Sequence, residues 1–385
     1  MYDYIEVHFG EIWLRGKNRS KFIGMLISNI EYALRDEHYS KIANMRDRIL
    51  ILLNEDSNID SMLSCLGYVF GISWYAPSVI AKNTLADIKR KAEGIAVQSN
   101  LNELRIIAHR STKNTRFDSK NIVGMFLEKA RLQKLLFIPN KEARDVLYIS
   151  VTGYGTLIHV NKIKGIGGLP VGSSGRAIVL ISGGIDSPVA AYMAMKRGLE
   201  PVYLHVHALP SNKEAMSSKI PSLIDILGRY SKSKRIYYMP SHIFQSYLLK
   251  LGRHYGKYET VLFKRFLFKA AEQIAAKENI NSVVTGESIG QVSSQTTYNM
   301  YASSNGIKLF VIRPLIALDK EEIINIAKKV GTFEISIKKY RDVCSINSHN
   351  PKTKVAAEKI AEMYEQARLS EALEQTLKKT EPIDL

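Results

Sequence analysis

Ser182-Gly183-Gly184, closely followed by Asp186, Ser187 and Pro188, is the stretch of this 385-residue chain whose residue types point most directly to chemistry. Two adjacent glycines let a backbone turn tightly and let a ligand approach the main chain with no Cβ in the way. The β-branched apolar run before them, Ile178-Val179-Leu180-Ile181, reads as a buried parallel strand. After them, Ser187 suits a helix N-cap, Pro188 the first helical position and Gly198 the residue just past the helix end. Strand, glycine turn and helix in that order aim unpaired helix amides at whatever lies over the strand end, and such a place binds phosphate or pyrophosphate. The same residues would also make a plain strand-to-helix turn with no ligand. No G-x-x-x-x-G-K followed by Ser or Thr occurs in the chain, which removes the main support for a kinase or GTPase.

The elements that must position this turn belong to a chain long enough for two or three domains. The formal charge of +17 favours a polyanionic partner such as nucleic acid. That charge is uneven: residues 1–60 carry 8 basic against 10 acidic groups and residues 61–170 carry 16 against 7, with the rest of the excess beyond. The polyanion surface is therefore expected on the middle and C-terminal segments. Cys65 and Cys344 are the two cysteines, too few for a disulfide framework or a cysteine-built zinc or iron–sulfur site. With no basic-then-apolar leader and no apolar run near the ~18 residues a membrane span requires, a soluble cytoplasmic protein is expected.

Residues 1–60 read as a small α+β unit of ferredoxin-like type, with strands around Ile5 and Ile49 and the helical spacing of FIGMLISNIEYAL between them; Gly10 to Arg19 reads as a loop. Residues 61–165 read as a second α+β unit, with helices near 84–98 and at NIVGMFLEKARL and strands at ELRIIAHR, DVLYISVTG and TLIHVNKI. Its polar positions are crowded with Lys89, Arg90, Lys91, Arg105, Arg110, Lys113, Arg116 and Lys120. Singly these are ordinary surface charges; together they would form a phosphate-contact face with salt-sensitive affinity. The glycine-rich stretch around 166–175 reads as a linker. From 176 to 385 strands and helices alternate, which predicts an α/β, doubly wound parallel sheet with ligands at the carboxyl ends of its strands, and the tail from Thr353 reads as helical. Cys65, in an apolar run, is expected to be buried and inert.

SGGIDS resembles the PP-loop of the ATP pyrophosphatases, which cleave ATP to AMP and pyrophosphate. Taken in order with GEIWLRGKNR, KIKGIGGLPVGSSG, VVTGESIGQVSSQT, RPLIALDKEEI and GTFEISIKKYRDVCS, it resembles the tRNA 4-thiouridine synthetases, or tRNA sulfurtransferases, over nearly the whole chain. The resemblance implies an N-terminal ferredoxin-like domain, a THUMP domain and a PP-loop domain. The first two would dock tRNA, and the third would adenylate the 4-oxygen of uridine 8 with Mg-ATP before sulfur displaces AMP. By the same resemblance Ser182, Gly183, Gly184 and Ser187 would hold the phosphates, and Leu180, Ile181, His205, Val206, Lys264, Gly286 and Gln295 would contact the nucleotide. Asp186 would take a metal or activation role with magnesium, with helix capping as its bland alternative. Lys320 would neutralise charge during adenyl transfer, and Cys344 would carry or receive sulfur. The family's usual Arg-Arg pair is here Lys264-Arg265, which keeps the charge and loses the bidentate fork.

Bacterial relatives often carry a C-terminal rhodanese domain with a persulfide cysteine. No cysteine follows Cys344 here, so the form expected is one lacking that domain, with a separate persulfide carrier such as a cysteine desulfurase, or sulfide, as donor. A homodimer is a further implication. Three readings compete: an ATP-dependent 4-thiouridine synthetase; another PP-loop adenylating enzyme, of the 2-thiouridine or 2-thiocytidine type or a small-molecule ligase; and an RNA-binding THUMP protein without catalysis. The lack of paired cysteines opposes the thiocytidine type, the basic middle segment opposes a small-molecule ligase, and the intact Gly183, Gly184, Asp186, Ser187 and Lys320 oppose a dead fold.

Overall fold

The computed structural model describes residues 2–110, 119–132, 135–249, 253–340 and 351–385, and divides into two units, Met1–Gly168 and Leu169–Leu385. In the first unit, strand β1 (Tyr4–Phe9), helix α1 (Arg19–Ala33), strands β2 (Lys41–Asn44) and β3 (Ile49–Leu52), helix α2 (Ile59–Leu66) and strand β4 (Ile72–Ala81) follow one another. They pair antiparallel in the order β2-β3-β1-β4, the ferredoxin-like arrangement. Alternation along β1 sends Ile5, Val7 and Phe9 into a core closed by Ile23, Leu26 and Ile30 of α1 and Met62 and Leu66 of α2. Gly10 to Arg19 is not a plain loop: Glu11–Asn18 winds as a 3-10 helix, with Gly16 at φ 50° and the Arg19 guanidinium 4.1 Å above the Trp13 ring.

Alternation leaves Glu6 on the other face of β1, yet it is 1 % exposed. Its carboxylate accepts from Arg48 at 2.8 Å and meets His8 Nε2 at 2.6 Å. Burial works to raise its pKa, but His159, His8 and Arg48 outweigh it and hold the group far below the usual carboxylate range.

No break in the sheet falls at residue 60. The long β4 pairs β1 and, through Val79–Ala81, also β8 (Gly155–Val160), so the sheet runs on through β7 (Val146–Thr152) and β5 (Glu103–Arg110) to β6 (Ile138–Pro139), with β9 (Ile163–Lys164) beside β4. Helices α3 (Leu85–Gln98) and α4 (Ser119–Arg131) cover this half through Ile88, Ala92, Ile95, Ile122 and Phe126. Cys65 is partly exposed rather than buried, and its thiol is pushed up by burial first and by Glu37 second.

The second unit is a six-stranded sheet in the order β14-β13-β10-β11-β12-β15, made of β10 (Arg176–Ile181), β11 (Glu200–His207), β12 (Arg235–Pro240), β13 (Ser282–Val284), β14 (Phe310–Ile312) and β15 (Glu381–Asp384). The first five are parallel and β15 closes one edge antiparallel. The two edge strands, β14 and β15, are short and carry little periodicity, and so escape the sequence reading. Helix α5 (Asp186–Lys196) follows β10, α6 (Asn212–Met216) and α7 (Lys219–Leu227) follow β11, α8 (His242–Leu249) and α9 (Glu259–Glu278) lie between β12 and β13, α10 (Thr297–Ser304) follows β13 and α11 (Lys320–Val330) follows β14. Ile178, Val202 and Leu204 of the sheet pack with Phe263, Phe266 and Ile274 of α9 and with the terminal helices Ala357–Gln366 and Leu369–Leu377. From central β10 the chain winds out through β11 and β12, then returns to the other side at β13. The crevice of this fold therefore opens where β10 and β13 diverge, at their carboxyl ends.

Candidate nucleotide site

The turn after β10 lies at that switch point. Helix α5 begins at Asp186, with Ile185 as N-cap and no side-chain cap. The expected cap, Ser187, is occupied within the turn: its Oγ accepts the Ser182 amide at 2.8 Å and lies 3.1 Å from Ser182 Oγ, which in turn accepts the Gly184 amide at 3.2 Å. Pro188, third in the helix rather than first, has no N–H to satisfy. The serines thus hold the turn closed and leave the helix end to a ligand. Two glycines are there for close approach, not for a positive φ. A Cβ on Gly183 would lie 2.6 Å from the Tyr340 ring and 2.8 Å from Lys219 Cε, and one on Gly286 would lie 2.8 Å from the Ser187 backbone nitrogen. Gly286, in the loop after β13, is what lets that loop rest on the first turn of α5.

The same loop brings Gln291 to Asp186. The Asp186 carboxylate receives Lys320 Nζ on one oxygen at 2.6 Å and Gln291 Nε2 on the other at 2.9 Å. Asp186 therefore does not cap α5. Lys320 is placed by a full capping box: the Asp319 side chain accepts the Glu322 amide and Glu322 returns to the Asp319 amide.

Lys264, on α9, donates to Glu287 at 2.7 Å, and Arg313 donates to the other Glu287 oxygen at 2.9 Å. Glu287 is 3 % exposed; burial would raise its pKa, but the charges of Lys264 and Arg313 and their hydrogen bonds win and hold it low. Gln295 ends a 3-10 turn, Ser293–Gln295; its carbonyl accepts the Gly290 amide at 2.9 Å, and its buried Oε1 has no partner among the described residues. Leu180 and Ile181 end β10 in register with Leu204 and His205 of β11. His205 and Val206 point to opposite faces by strand alternation. His205 is fully buried; Nδ1 donates to the Ile181 carbonyl at 2.9 Å and Nε2 accepts from the Tyr340 hydroxyl at 2.7 Å. Burial is the main reason its pKa falls to about 4, so the imidazole is neutral at physiological pH.

The structure brings Ser182, Gly183, Gly184, Asp186, Ser187, Gly286 and Lys320 together, and adds Gln291, Lys219, Tyr340, Glu287 and Arg313, which the sequence reading missed. Only the position of Gln291 in the GES…Q stretch gave a hint. Cys344, Lys113 and Arg116 lie outside the described residues. In the first unit Lys89 is bound to Glu93 at 2.7 Å, Lys91 lies 3.5 Å from Asp3 and Arg90 pairs with Asp87. Arg105, Arg110 and Lys120 are exposed. Arg105 and Arg110 take opposite faces of β5, with Arg110 on the side of Leu104, where α3 and α4 pack.

Two family comparisons bear on this arrangement. The family described as "Thiamine biosynthesis protein (ThiI)" matches residues 172–369, and the ThiI ferredoxin-like domain matches residues 4–76. The chain belongs to the ThiI family. A probable tRNA sulfurtransferase of Bacillus pumilus is 38% identical over 97% of this chain and 94% of its own, and one of Natranaerobius thermophilus is 33% identical over 99% and 95%. Among solved structures, a 4-thiouridine synthetase in complex with RNA and bound ATP covers 100% of both chains at 29% identity and a TM-score of 0.87. PH1313 of Pyrococcus horikoshii shares the fold at 23% identity and a TM-score of 0.64 over 86% of this chain. The ThiI-family fold thus consists of the ferredoxin-like and THUMP parts followed by a PP-loop sheet. No described helix is long and apolar enough to cross a membrane.

Proposed function

We propose that the chain is an ATP-dependent tRNA sulfurtransferase that converts a tRNA uridine, at position 8, to 4-thiouridine. The relatives are named probable tRNA sulfurtransferases, and a solved neighbour is a 4-thiouridine synthetase in complex with RNA and bound ATP, which supports the reading. The observation that carries the reading is the convergence of Asp186, Lys320 and Gly286 on the uncapped start of α5 at the sheet's switch point. A uracil carbonyl oxygen is a poor leaving group. Its attack on the α-phosphorus of ATP, with loss of pyrophosphate, turns it into part of a good one, AMP. Sulfide then adds at carbon 4, the carbon–oxygen bond breaks and AMP leaves with the electron pair, so no oxidant or reductant is required.

The residues fit ATP. Gly184 leaves room beside the backbone for phosphate while Gly183 admits the Tyr340 ring that backs the turn, the α5 amides face the phosphate, and the orphan Gln295 Oε1 is an acceptor for a nucleotide donor. Lys320 supplies positive charge where pyrophosphate charge accumulates. They also fit magnesium carried by a triphosphate, which requires one or two carboxylates and no dedicated cage. Asp186 would hold that ion, which supplies charge neutralisation to the phosphates. Leu180, Ile181, Val206 and the Lys264–Glu287 pair shape the nucleotide side. The basic residues of the first unit, Lys89, Lys91, Arg105, Arg110, Lys113, Arg116 and Lys120, are proposed tRNA contacts. Sulfur is proposed to come from a separate donor. Sulfide would add to carbon 4 directly, whereas a persulfide carrier would pass its outer sulfur to the Cys344 thiolate and leave as a thiol, and an external thiol would then supply the two electrons that release that sulfur to carbon 4. The active form is proposed to be a homodimer.

The test is an assay of purified protein with unmodified tRNA, ATP, magnesium and sulfide as sole donor. Pyrophosphate release that depends on tRNA, together with 4-thiouridine in the nucleoside digest, is expected. Release without tRNA, or 2-thiouridine in the digest, refutes the reading.

A further inference from the structure

Both ring nitrogens of His205 are engaged within the protein, one on the Ile181 carbonyl at the end of β10 and one on the Tyr340 hydroxyl. A neutral imidazole has one donor and one acceptor, so neither nitrogen is left to bind a ligand. The Tyr340 ring lies flush on Gly183, where a Cβ would come within 2.6 Å of it. The chain that carries Tyr340 is held in turn by Lys219, the first residue of α7, whose Nζ donates to the carbonyls of Ser336 and Lys338, both at 2.7 Å. Lys219 Cε also approaches Gly183, and its Nζ is 5.7 Å from the Tyr340 ring centre. Three side chains from three separate elements therefore clamp one glycine of the phosphate turn and the strand residue that enters it.

We infer that His205, Tyr340 and Lys219 are positioning residues that brace the phosphate turn for the triphosphate, and that His205 acts through this brace rather than by a side-chain contact with the nucleotide. The inference rests on the nucleotide-site reading above and deepens it. A turn fixed in advance does not have to be ordered when ligand arrives, so the brace contributes to affinity. The phosphates are gripped both before and during adenyl transfer. Removing the brace thus removes uniform binding, which raises KM and spares kcat.

Tyr340→Phe keeps the ring on Gly183 and deletes the donor to His205. It is expected to raise the Kd for a non-hydrolysable ATP analogue, measured by calorimetry on the full chain without tRNA, and the KM for ATP in tRNA-dependent pyrophosphate release by a common factor of about 5–10, the range one lost buried hydrogen bond covers. The kcat is expected to stay within about twofold. Lys219→Met should act in the same direction and Lys219→Arg should restore most of the affinity, since a guanidinium also reaches two carbonyls. A Tyr340→Phe protein with a lowered melting temperature and unchanged Kd overturns the inference, as does a loss confined to kcat. Because the analogue titration requires no tRNA, wild-type protein that binds the analogue but never thiolates RNA would sink the proposed function and leave the brace testable on its own.

Discussion

Asp186 has two oxygens and two different partners, and that asymmetry can be tested. Lys320 brings a full charge to one oxygen, and Gln291 brings a neutral amide to the other. Asp186→Ala removes both anchors and the proposed magnesium ligand, so tRNA-dependent pyrophosphate release is expected to fall below detection. Binding of tRNA, measured by filter titration, should stay near wild type because the basic surface is untouched. Gln291→Leu leaves the carboxylate and Lys320 in place but frees one oxygen to rotate. A hydrogen bond to a charged group is worth about 1.5–3 kcal/mol, so release should slow by about 10–100-fold. If Gln291→Leu retains full activity, the orientation of Asp186 is fixed by Lys320 alone. Asp186 is legible in the sequence as a candidate because it sits inside a short contiguous motif. Gln291 is not, since it meets Asp186 across 105 residues of chain and no local pattern encodes that meeting.

At the scale of elements the same division holds. The strand, turn and helix of 178–198 are legible because an apolar run, paired glycines and a terminal Gly198 agree with one another, and α11 because Asp319 and Gly331 frame it. The error at Ser187 is instructive: a serine read as a cap spends its hydroxyl on the Ser182 backbone instead. The family resemblance makes Lys264 a nucleotide contact, and in the structure its ammonium sits on Glu287, which ties α9 to the loop after β13, while Arg313 ties in the end of β14. Breaking a buried ion pair by removing one partner costs about 3–5 kcal/mol, and Arg313 still serves Glu287 here, so Lys264→Met is expected at or below about 3 kcal/mol by urea unfolding. The sign of the pH dependence follows from the direction of the Glu287 shift. Its folded pKa is held below the ordinary value of 4.5, so its stabilisation is present above that pH and is lost as pH falls further. Glu287→Gln should flatten this acid limb of the stability curve. An unchanged acid limb would mean that other carboxylates, Glu6 foremost, account for it.

Over the whole chain, the +17 charge is the property most visible in the sequence and the least evenly expressed in space. Lys89 and Lys91 look like free charges on a helix face, but each has an acidic partner within 4 Å, Glu93 and Asp3. Arg110 lies on the helical side of β5 and Arg105 on the opposite side. On the helical side a groove of about 1050 Å³ runs between α3 and α4, with Leu85 and Met125 in its lining and Lys89, Lys120 and Lys129 about it. One RNA backbone cannot follow both faces of a sheet at once. If it follows the helical side, Lys120 and Arg110 neutralise phosphates and Arg105 does not. Each phosphate neutralised contributes about 0.7–0.9 to the slope of log affinity against log salt. Lys120→Ala and Arg110→Ala should each reduce that slope by close to one and weaken binding of unrelated tRNAs equally, whereas Arg105→Ala should leave the slope as it is. A slope that falls for Arg105→Ala and stays for the other two would move the RNA to the opposite face, where Lys162 Nζ lies 4.2 Å from the Trp74 ring centre and 4.0 Å from that of Tyr148. Lys162 would then share the phosphate contacts with Arg105, because Trp74 is already stacked on His8 and Tyr148 on His159, and Lys162→Ala should lower the slope as Arg105→Ala does.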